Sequence, residues 1–233
     1  MKIRLQGHEK FPLRDGWITK GLNMLSGEEA GSVFSSDRAP DIFGIGSNMV
    51  KSLRFWLKAF NLTEDVKGGV RLTELGEIIK NNDLYLEDLF TLWILHSNIV
   101  KNNETATTWY VFFNKFDLAE FDKEILMKVL YHELSKINEE SGKDISKNSL
   151  GADVDVLLNM YSKSREIVDP EDKNSSPFSK LGLLKQNEGK KYSLTNPDKR
   201  ILNEYLVLYE IEDKLSDSTS VSIDELIEGE NSL

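Results

Sequence analysis

The stretch of sequence that decides the fold is SNMVKSLRFWLKAF, residues 47–60. At about 100° per residue, Lys51, Arg54 and Lys58 share a narrow arc, which we call the basic ridge. A separate arc, roughly 120° wide, carries the apolar side chains. These are Met49, Val50, Leu53, Trp56, Leu57 and Phe60. The stretch therefore predicts an amphipathic helix, capped by Ser47, with one face in the core.

Two short helices are predicted before this one. Residues 17–25 favour a first helix, and Ser35, Ser36 and Asp37 offer N-caps for a second one that runs towards Phe43. Pro40 then falls in the first turn, where proline is tolerated. Glycines at positions 44 and 46 predict a tight turn between this helix and the next.

A hairpin and a further helix are predicted after it. Two β-prone pieces within residues 62–73 surround Gly68-Gly69, which is typical of a hairpin turn. Thr73 is placed to cap a helix over residues 74–80. The order of helix, helix, glycine turn, longer helix and hairpin is that of a winged helix-turn-helix, which we assign to residues 1–82.

The middle of the chain, residues 83–169, is predicted to be a helical domain. Residues 85–100 are apolar nearly all round, as expected of a helix buried on several sides. Residues 105–116 carry an aromatic stripe at helical spacing, although the same residue types also favour strands. Two amphipathic helices, over residues 122–140 and 150–161, complete this domain.

A second winged-helix-like unit is predicted over residues 170–215, after a polar linker that contains two prolines. It comprises a hairpin around residues 187–189 and a helix over residues 197–214. The hairpin repeats the ten-residue spacing of the first one, which indicates either an internal duplication or a coincidence. The acidic tail, residues 216–233, is predicted to be disordered.

The composition excludes several classes of protein. The chain has 233 residues, of which 39% are hydrophobic and 29% charged, as in ordinary globular proteins. It has no cysteine, and therefore no disulfide, thiol nucleophile or cysteine zinc site. No run approaches the roughly 18 apolar residues of a membrane span, and the N-terminus lacks a signal-peptide core. We therefore expect a cytoplasmic protein without membrane contact.

Charge is distributed unevenly along the chain. The net charge of −10 disfavours indiscriminate binding to nucleic acid. Residues 201–233, however, hold nine acids against Lys214 alone, a balance of −8, whereas residues 1–60 hold nine Lys and Arg against six acids, a balance of +3. Because the acidic residues are concentrated at the C-terminal end, they are compatible with a basic surface near the N-terminus. A plain solubilising tail would also explain the acidic end.

The basic ridge is the strongest functional signal. On the second helix of a helix-turn-helix, Lys and Arg contact phosphates and guanine edges, and the helix N-terminus adds amide donors. The predicted DNA-binding residues are Ser47, Asn48, Lys51, Arg54, Lys58, Lys67 and Arg71, with Lys190 and Lys191 in the second hairpin. The alternative interpretation is that the ridge is only the solvated face of an amphipathic helix.

No pattern in the sequence indicates catalysis. Asp153 and Asp155 fall on different faces of one helix and make a poor carboxylate pair. Residues 44–47 lack the preceding strand and the lysine of a phosphate-binding loop. The three histidines have no metal-ligand spacing; they are His8, His96 and His132. We expect no enzymatic activity, no metal and no cofactor, and we expect His96 to be a core residue.

Parts of the sequence resemble the bacterial family known as domain of unknown function 4007. The resemblance rests on three runs, which are HEKFPLRDGWITKG (residues 8–21), GIGSNMVKSLRFWL (44–57) and LTELG (72–76), together with Trp93 and residues 107–114. The resemblance covers residues 8–120 most closely and implies no established activity. It implies an association with genes for DNA sulfur modification (phosphorothioation) and phage defence, beside enzymes that resemble phosphoadenosine phosphosulfate reductase. Without a cysteine to carry a persulfide, this chain would not be the sulfur-transfer enzyme.

The sequence therefore predicts a DNA-binding accessory protein or regulator of a bacterial DNA-modification or defence system. Its partners would be duplex DNA and other subunits of such a complex. The alternative is a protein–protein interaction module in the same kind of complex, without direct DNA contact. Arg14 is expected to pair with an acid, and a site role for His8 and Arg14 stays open.

Overall fold

The computed structural model describes residues 3–25, 30–138, 144–162, 176–197, 202–215, 220–222 and 224. The helices are α1 (Trp17–Met24), α2 (Ala39–Phe43), α3 (Ser47–Ala59), α4 (Glu74–Asn82), α5 (Leu89–Lys101), α6 (Thr107–Lys115), α7 (Lys123–Asn138), α8 (Lys147–Tyr161) and α9 (Glu204–Leu215). The strands are β1 (Thr63–Val66), β2 (Gly69–Leu72), β3 (Glu120–Asp122), β4 (Leu184–Gln186) and β5 (Lys191–Leu194). The prediction of a mainly helical protein is confirmed. Most of the predicted tail, residues 216–233, lies outside the described residues.

Helix α3 is the centre of the N-terminal half, where it packs against α1, α2 and β1. The predicted apolar face is buried, and Leu53, Trp56 and Leu57 have no exposed surface. Burial extends further round the helix than predicted, since Phe55 and Ser52 are also buried. The prediction that Ser47 caps α3 is wrong by one residue: the extended backbone of Gly46 precedes the helix, and Ser47 is its first residue.

The first hairpin, β1–β2, follows α3 and is confirmed as an antiparallel pair. Its two-residue turn is Lys67-Gly68, one residue earlier than predicted. Gly68 has a φ of +92°, a backbone conformation that glycine adopts without a Cβ clash. Thr73 then caps α4 as predicted, because its Oγ1 accepts a hydrogen bond from the Gly76 N–H at 3.1 Å.

The second hairpin, β4–β5, is also antiparallel, but it is part of a three-stranded sheet. Strand β3, from the middle of the chain, pairs with the outer edge of β5 and brings Phe121 opposite Tyr192. Strand β5 is therefore the central strand of this sheet, whereas the sequence predicted only the hairpin of β4 and β5. The short β3 was not predicted because three residues are too few to show a period of two.

Several helix boundaries differ from the predictions. The predicted N-caps of α2 are wrong, because a 3-10 helix occupies Ala30–Ser35 and Arg38 precedes α2. Helix α5 begins at Leu89, where Asp88 caps it, and α9 begins at Glu204. The aromatic segment at residues 105–116, whose residue types favoured both helix and strand, is helical and forms α6.

Among the described residues, no helix combines the length and apolarity needed to cross a bilayer.

One hydrophobic cluster extends through the structure, from Leu13 to Leu206. It includes aromatic contacts between distant parts of the chain. Phe60, at the end of α3, stacks on Phe178 with a ring-centroid distance of 5.1 Å, and Phe178 also contacts Tyr161 of α8. The predicted domain boundaries, after residue 82 and after residue 169, therefore separate segments that share one hydrophobic core.

The close approach of α4 to the backbone of Leu62, which lies between α3 and β1, yields a test of this packing. A Cβ added at Gly76 would lie 2.3 Å from the carbonyl oxygen of Leu62, so that Gly76→Ala should lower the free energy of unfolding by about 1–3 kcal/mol. Gly151→Ala is the control, because the nearest atom to its Cβ would be 3.9 Å away. Replacing a helical glycine by alanine there should stabilise by up to about 1 kcal/mol. Urea unfolding measures both, and equal effects would contradict this description.

Candidate nucleic-acid interface

The basic ridge lies on the exposed side of α3, beside the first strand of the first hairpin. Arg54 Nη2 lies 2.9 Å from Asp65 Oδ1, and Lys58 Nζ donates to the other oxygen of the same carboxylate. These hydrogen bonds, first from Lys58 and then from Arg54, hold the pKa of Asp65 below its usual value. Two ridge cations thus converge on one ionised carboxylate. The pattern of charges along α3 does not predict this contact, because Asp65 belongs to β1.

The other predicted DNA-binding residues of this region are exposed. Ser47 and Asn48 form the start of α3, where Lys51 Nζ lies 3.3 Å from Asn48 Oδ1. Lys67 is at the turn of the first hairpin, and Arg71 forms an exposed ion pair with Glu64 at 2.7 Å. Exposed ion pairs contribute only about 0–1 kcal/mol. A ligand anion can therefore replace these carboxylates at small cost.

A cavity of about 310 Å³ lies against the basic ridge. The N-terminal segment (residues 3–16) forms part of its wall with Arg4, Gly7 and Glu9. Its charged lining has four cations and two acids; these are Arg4, Lys51, Arg54, Lys58, Glu9 and Asp65. The rings of Phe34 and Phe55 form apolar parts of the lining. The cavity thus combines a formal charge of +2 (four minus two) with aromatic surface.

A buried hydrogen-bond network holds this N-terminal segment in place. Asp153, which is 2% exposed on α8, accepts hydrogen bonds from Gln6 N–H at 2.7 Å and from Thr108 Oγ1 at 2.6 Å. His8 Nε2 lies 2.9 Å from the same carboxylate. The backbone N–H of Lys10 donates to His8 Nδ1 at 3.1 Å, so that the proton of the neutral ring is on Nε2 and points to Asp153.

The turn around His8 is strained. Gln6, Glu9 and Lys10 all have positive φ, between 49° and 67°, although none is a glycine. Left-handed backbone at such residues costs on the order of 1–3 kcal/mol each and persists only where surrounding contacts enforce it. The His8 ring provides these contacts, since it stacks on Trp56 with centroids 5.8 Å apart. His8 therefore holds the turn that forms part of the cavity wall.

Arg14 behaves differently from the expectation. Its guanidinium carbon lies 5.6 Å from the ring centroid of Trp17 and 5.9 Å from that of Phe11. These are cation–π distances. Among the residues that the structure describes, Arg14 contacts these two rings and forms no ion pair with an acid.

The two aspartates of α8 have separate partners, which agrees with the prediction that they form no carboxylate pair. Asp155 is exposed and forms an ion pair with Lys123, whereas Asp153 is buried.

In the second hairpin, Lys191 pairs at 3.7 Å with Glu120 of β3, so that one predicted DNA contact faces an acid. Within the described ranges, no three His, Asp or Glu side chains are arranged to hold a metal ion.

His96 is a buried core residue. Its Nδ1 lies 2.9 Å from the hydroxyl oxygen of Tyr161, and its ring contacts Trp93 and Phe113 edge-on. Burial lowers the pKa of His96 to about 3 and raises the pKa of Tyr161 well above its usual value. Both side chains are therefore neutral at physiological pH.

Comparison with known proteins places this chain in a family. The model of a family described as "Protein of unknown function (DUF4007)" matches residues 5–233. The chain belongs to the DUF4007 family. Two crystal structures of SspB, one of them described as magnesium ion-bound, have the same fold, with TM-scores of 0.84 and 0.82 and 26% sequence identity. Both alignments cover 99% of this chain and 72% of the SspB chain. No curated protein matches the sequence.

The Asp153 network predicts unequal effects for two substitutions on α8. Asp153→Asn places an NH₂ group among hydrogen-bond donors and should lower the free energy of unfolding by about 2–4 kcal/mol. Asp155→Asn removes only an exposed ion pair and should cost no more than about 1 kcal/mol. Chemical unfolding of both variants tests this. A loss below 1 kcal/mol for Asp153→Asn would show that the network does not hold the N-terminal segment.

The depressed pKa of His96 predicts a pH dependence of stability. Below about pH 6.5 the unfolded chain binds a proton at this position, whereas the native state does so only near pH 3. Stability is therefore lost as the pH falls through 6.5. Between pH 7 and 5, this linkage should remove about 2 kcal/mol from wild type and nothing from His96→Gln. Urea midpoints measured across that range should show the two stabilities converging, and parallel curves would refute the assignment.

Proposed function

We propose that this chain is a DNA-binding accessory protein or regulator of a bacterial DNA-modification or phage-defence system, and that the basic ridge contacts the duplex. The observation that supports this most is the convergence of Arg54 and Lys58 on one anion at the surface of α3. A backbone phosphate is an anion of similar size, and Arg and Lys are its usual partners.

The arrangement around α3 supports the same proposal. Helix α3 follows α2 through a turn at Gly44–Gly46, and the first hairpin follows α3 directly. This is the order of elements in a winged helix-turn-helix, in which the longer helix contacts DNA and the hairpin contacts the backbone. In this proposal Lys67 and Arg71 make the hairpin contacts, and the second winged-helix-like unit with Lys190 adds a further one. The association with DNA sulfur-modification genes that the sequence resemblance implies supports duplex DNA as the target.

The acidic side chains near the ridge determine how tightly it binds. Asp65 and Glu64 each compete with phosphate for a basic partner. Together with the overall charge of −10, they weaken binding to any polyanion. We therefore infer a modest affinity for DNA at physiological salt, and partner subunits would add to it.

A protein–protein interaction module is the second candidate, and α9 favours it. Tyr205, Val207 and Leu208 are 55–60% exposed on this helix. Tyr205 and Leu208 are three residues apart and share one face of α9. Exposed apolar side chains on one face of a helix are typical of surfaces that bind another protein. In this proposal the partner is another subunit of the same complex, and it binds α9 and not the basic ridge.

Titration of a labelled duplex across a range of salt concentrations tests the DNA proposal. Wild type should bind with a steep log–log dependence on salt, because bound cations release counterions. Lys51→Glu/Arg54→Glu should lose most of the affinity and lower the slope by about two, one unit for each lost contact. Its melting temperature should stay close to that of wild type, since only exposed interactions change.

The matched control is Lys128→Glu/Lys136→Glu on α7, which changes the net charge equally and also replaces two lysines that form exposed ion pairs. It should bind DNA like wild type. An equal loss in both double variants would mean that only net charge matters. Absence of duplex binding at low salt, together with capture of a partner subunit that Leu208→Glu abolishes, would favour the second candidate.

A further inference from the structure

We propose that the cavity beside the basic ridge binds one phosphate group of a nucleotide, and that Asp65 occupies the phosphate position when no ligand is bound. This inference deepens the proposed DNA contact, and it rests on that proposal only for the source of the phosphate, either the DNA backbone or a free nucleotide.

The geometry at Asp65 shows an anion position that is already formed. Arg54 and Lys58 are one helical turn apart on α3, and each contacts a different oxygen of the same carboxylate. The carboxylate belongs to β1, which is a separate element. Because the two cations already point to one place, a phosphate there needs no rearrangement of α3. Only the Asp65 side chain, which is 47% exposed, has to turn away.

The charge of the cavity exceeds what its own acids neutralise. Arg4 and Lys51 also line it, and neither forms an ion pair with an acid in the described part of the chain. With Asp65 turned away, four cations face one remaining acid, Glu9, and the local formal charge is +3. A phosphate matches this environment better than one carboxylate does, because it presents more acceptor oxygens to the cations. A backbone phosphodiester carries one negative charge, and the terminal phosphate of a free nucleotide carries up to two.

The cavity wall is held rigidly, which favours binding because little has to be ordered. The His8–Asp153 hydrogen bond fixes the strained turn that carries Gly7 and Glu9. A Cβ added at Gly7 would lie 2.6 Å from the Phe55 ring, so that the backbone here packs directly on that ring. Arg4 is held from the other side, since its backbone N–H donates to Thr107 Oγ1 at 3.1 Å.

The apolar part of the lining indicates a nucleotide and not a free inorganic anion. Phe34, which is half-buried, provides apolar surface for a sugar or a base next to the phosphate, and aromatic rings are common stacking surfaces for bases. Val50 and Phe55 also line the cavity but are almost fully buried, and the Arg4 guanidinium lies over the Phe55 ring. The volume of about 310 Å³ is near the lower limit for small-molecule pockets, which suits one nucleotide.

The test is calorimetric titration of the full chain with thymidine monophosphate and with inorganic phosphate. Asp65→Asn removes the competing anion and should bind thymidine monophosphate about tenfold more tightly than wild type. Glu124→Gln on α7, which removes an exposed, paired carboxylate outside the cavity lining, should bind like wild type. Arg54→Gln/Lys58→Gln should lose binding. Equal affinities of Asp65→Asn and Glu124→Gln would overturn the role of Asp65.

Further arms separate this inference from the proposed function. Equal affinities for thymidine monophosphate and inorganic phosphate would overturn the assignment to a nucleotide. If the duplex binds but thymidine monophosphate neither binds nor competes with it, the cavity inference fails and the DNA proposal stands. If thymidine monophosphate binds and Asp65→Asn tightens it while duplex stays unbound, the cavity inference stands with a free nucleotide as its ligand, and the DNA proposal fails.

Discussion

The candidate site depends on one buried interaction, between His8 and Asp153. It connects positions 145 residues apart, and the carboxylate also accepts hydrogen bonds from the Gln6 N–H and from Thr108. Removing any partner would leave a buried polar group unsatisfied, which is costly in a low-dielectric interior. The network therefore enforces a turn with three left-handed non-glycine residues. Through that turn, the N-terminal segment becomes a wall of the cavity beside α3.

The basic ridge and its acidic neighbours form an electrostatic balance at the surface. Asp65 neutralises part of the charge that α3 presents, yet its ion pairs are exposed and therefore weak. In the proposed function, a site of this kind would bind a phosphate with moderate affinity, because the phosphate has to displace Asp65 from Arg54 and Lys58. The hairpin thus has two effects in the proposed function: Lys67 extends the basic surface, and Asp65 limits its affinity.

Much of the fold could be predicted from local patterns. The apolar arc of α3, the Thr73 cap and the hairpin at Gly68 are each specified by a few neighbouring residues, because helix period, capping and turn chemistry are local. Strand β3 could not be predicted in this way, because it depends on its pairing with the distant β5. The starts of α5 and α9 do have local caps, since Asp88 accepts a hydrogen bond from the Phe90 N–H and Asn203 accepts one from the Tyr205 N–H. The sequence predicts these starts too early because Asp83 and Asn196 offer caps of the same kind before them.

The sequence by itself determined that the chain is mainly helical, that α3 presents three cations on one arc, and that Asp153 and Asp155 face different ways. Each follows from the period of a single helix. Only the tertiary structure decided that Asp65 lies between Arg54 and Lys58, that His8 binds Asp153, and that Arg14 packs on aromatic rings. These contacts join residues from separate elements, and one sequence contains no record of which elements meet.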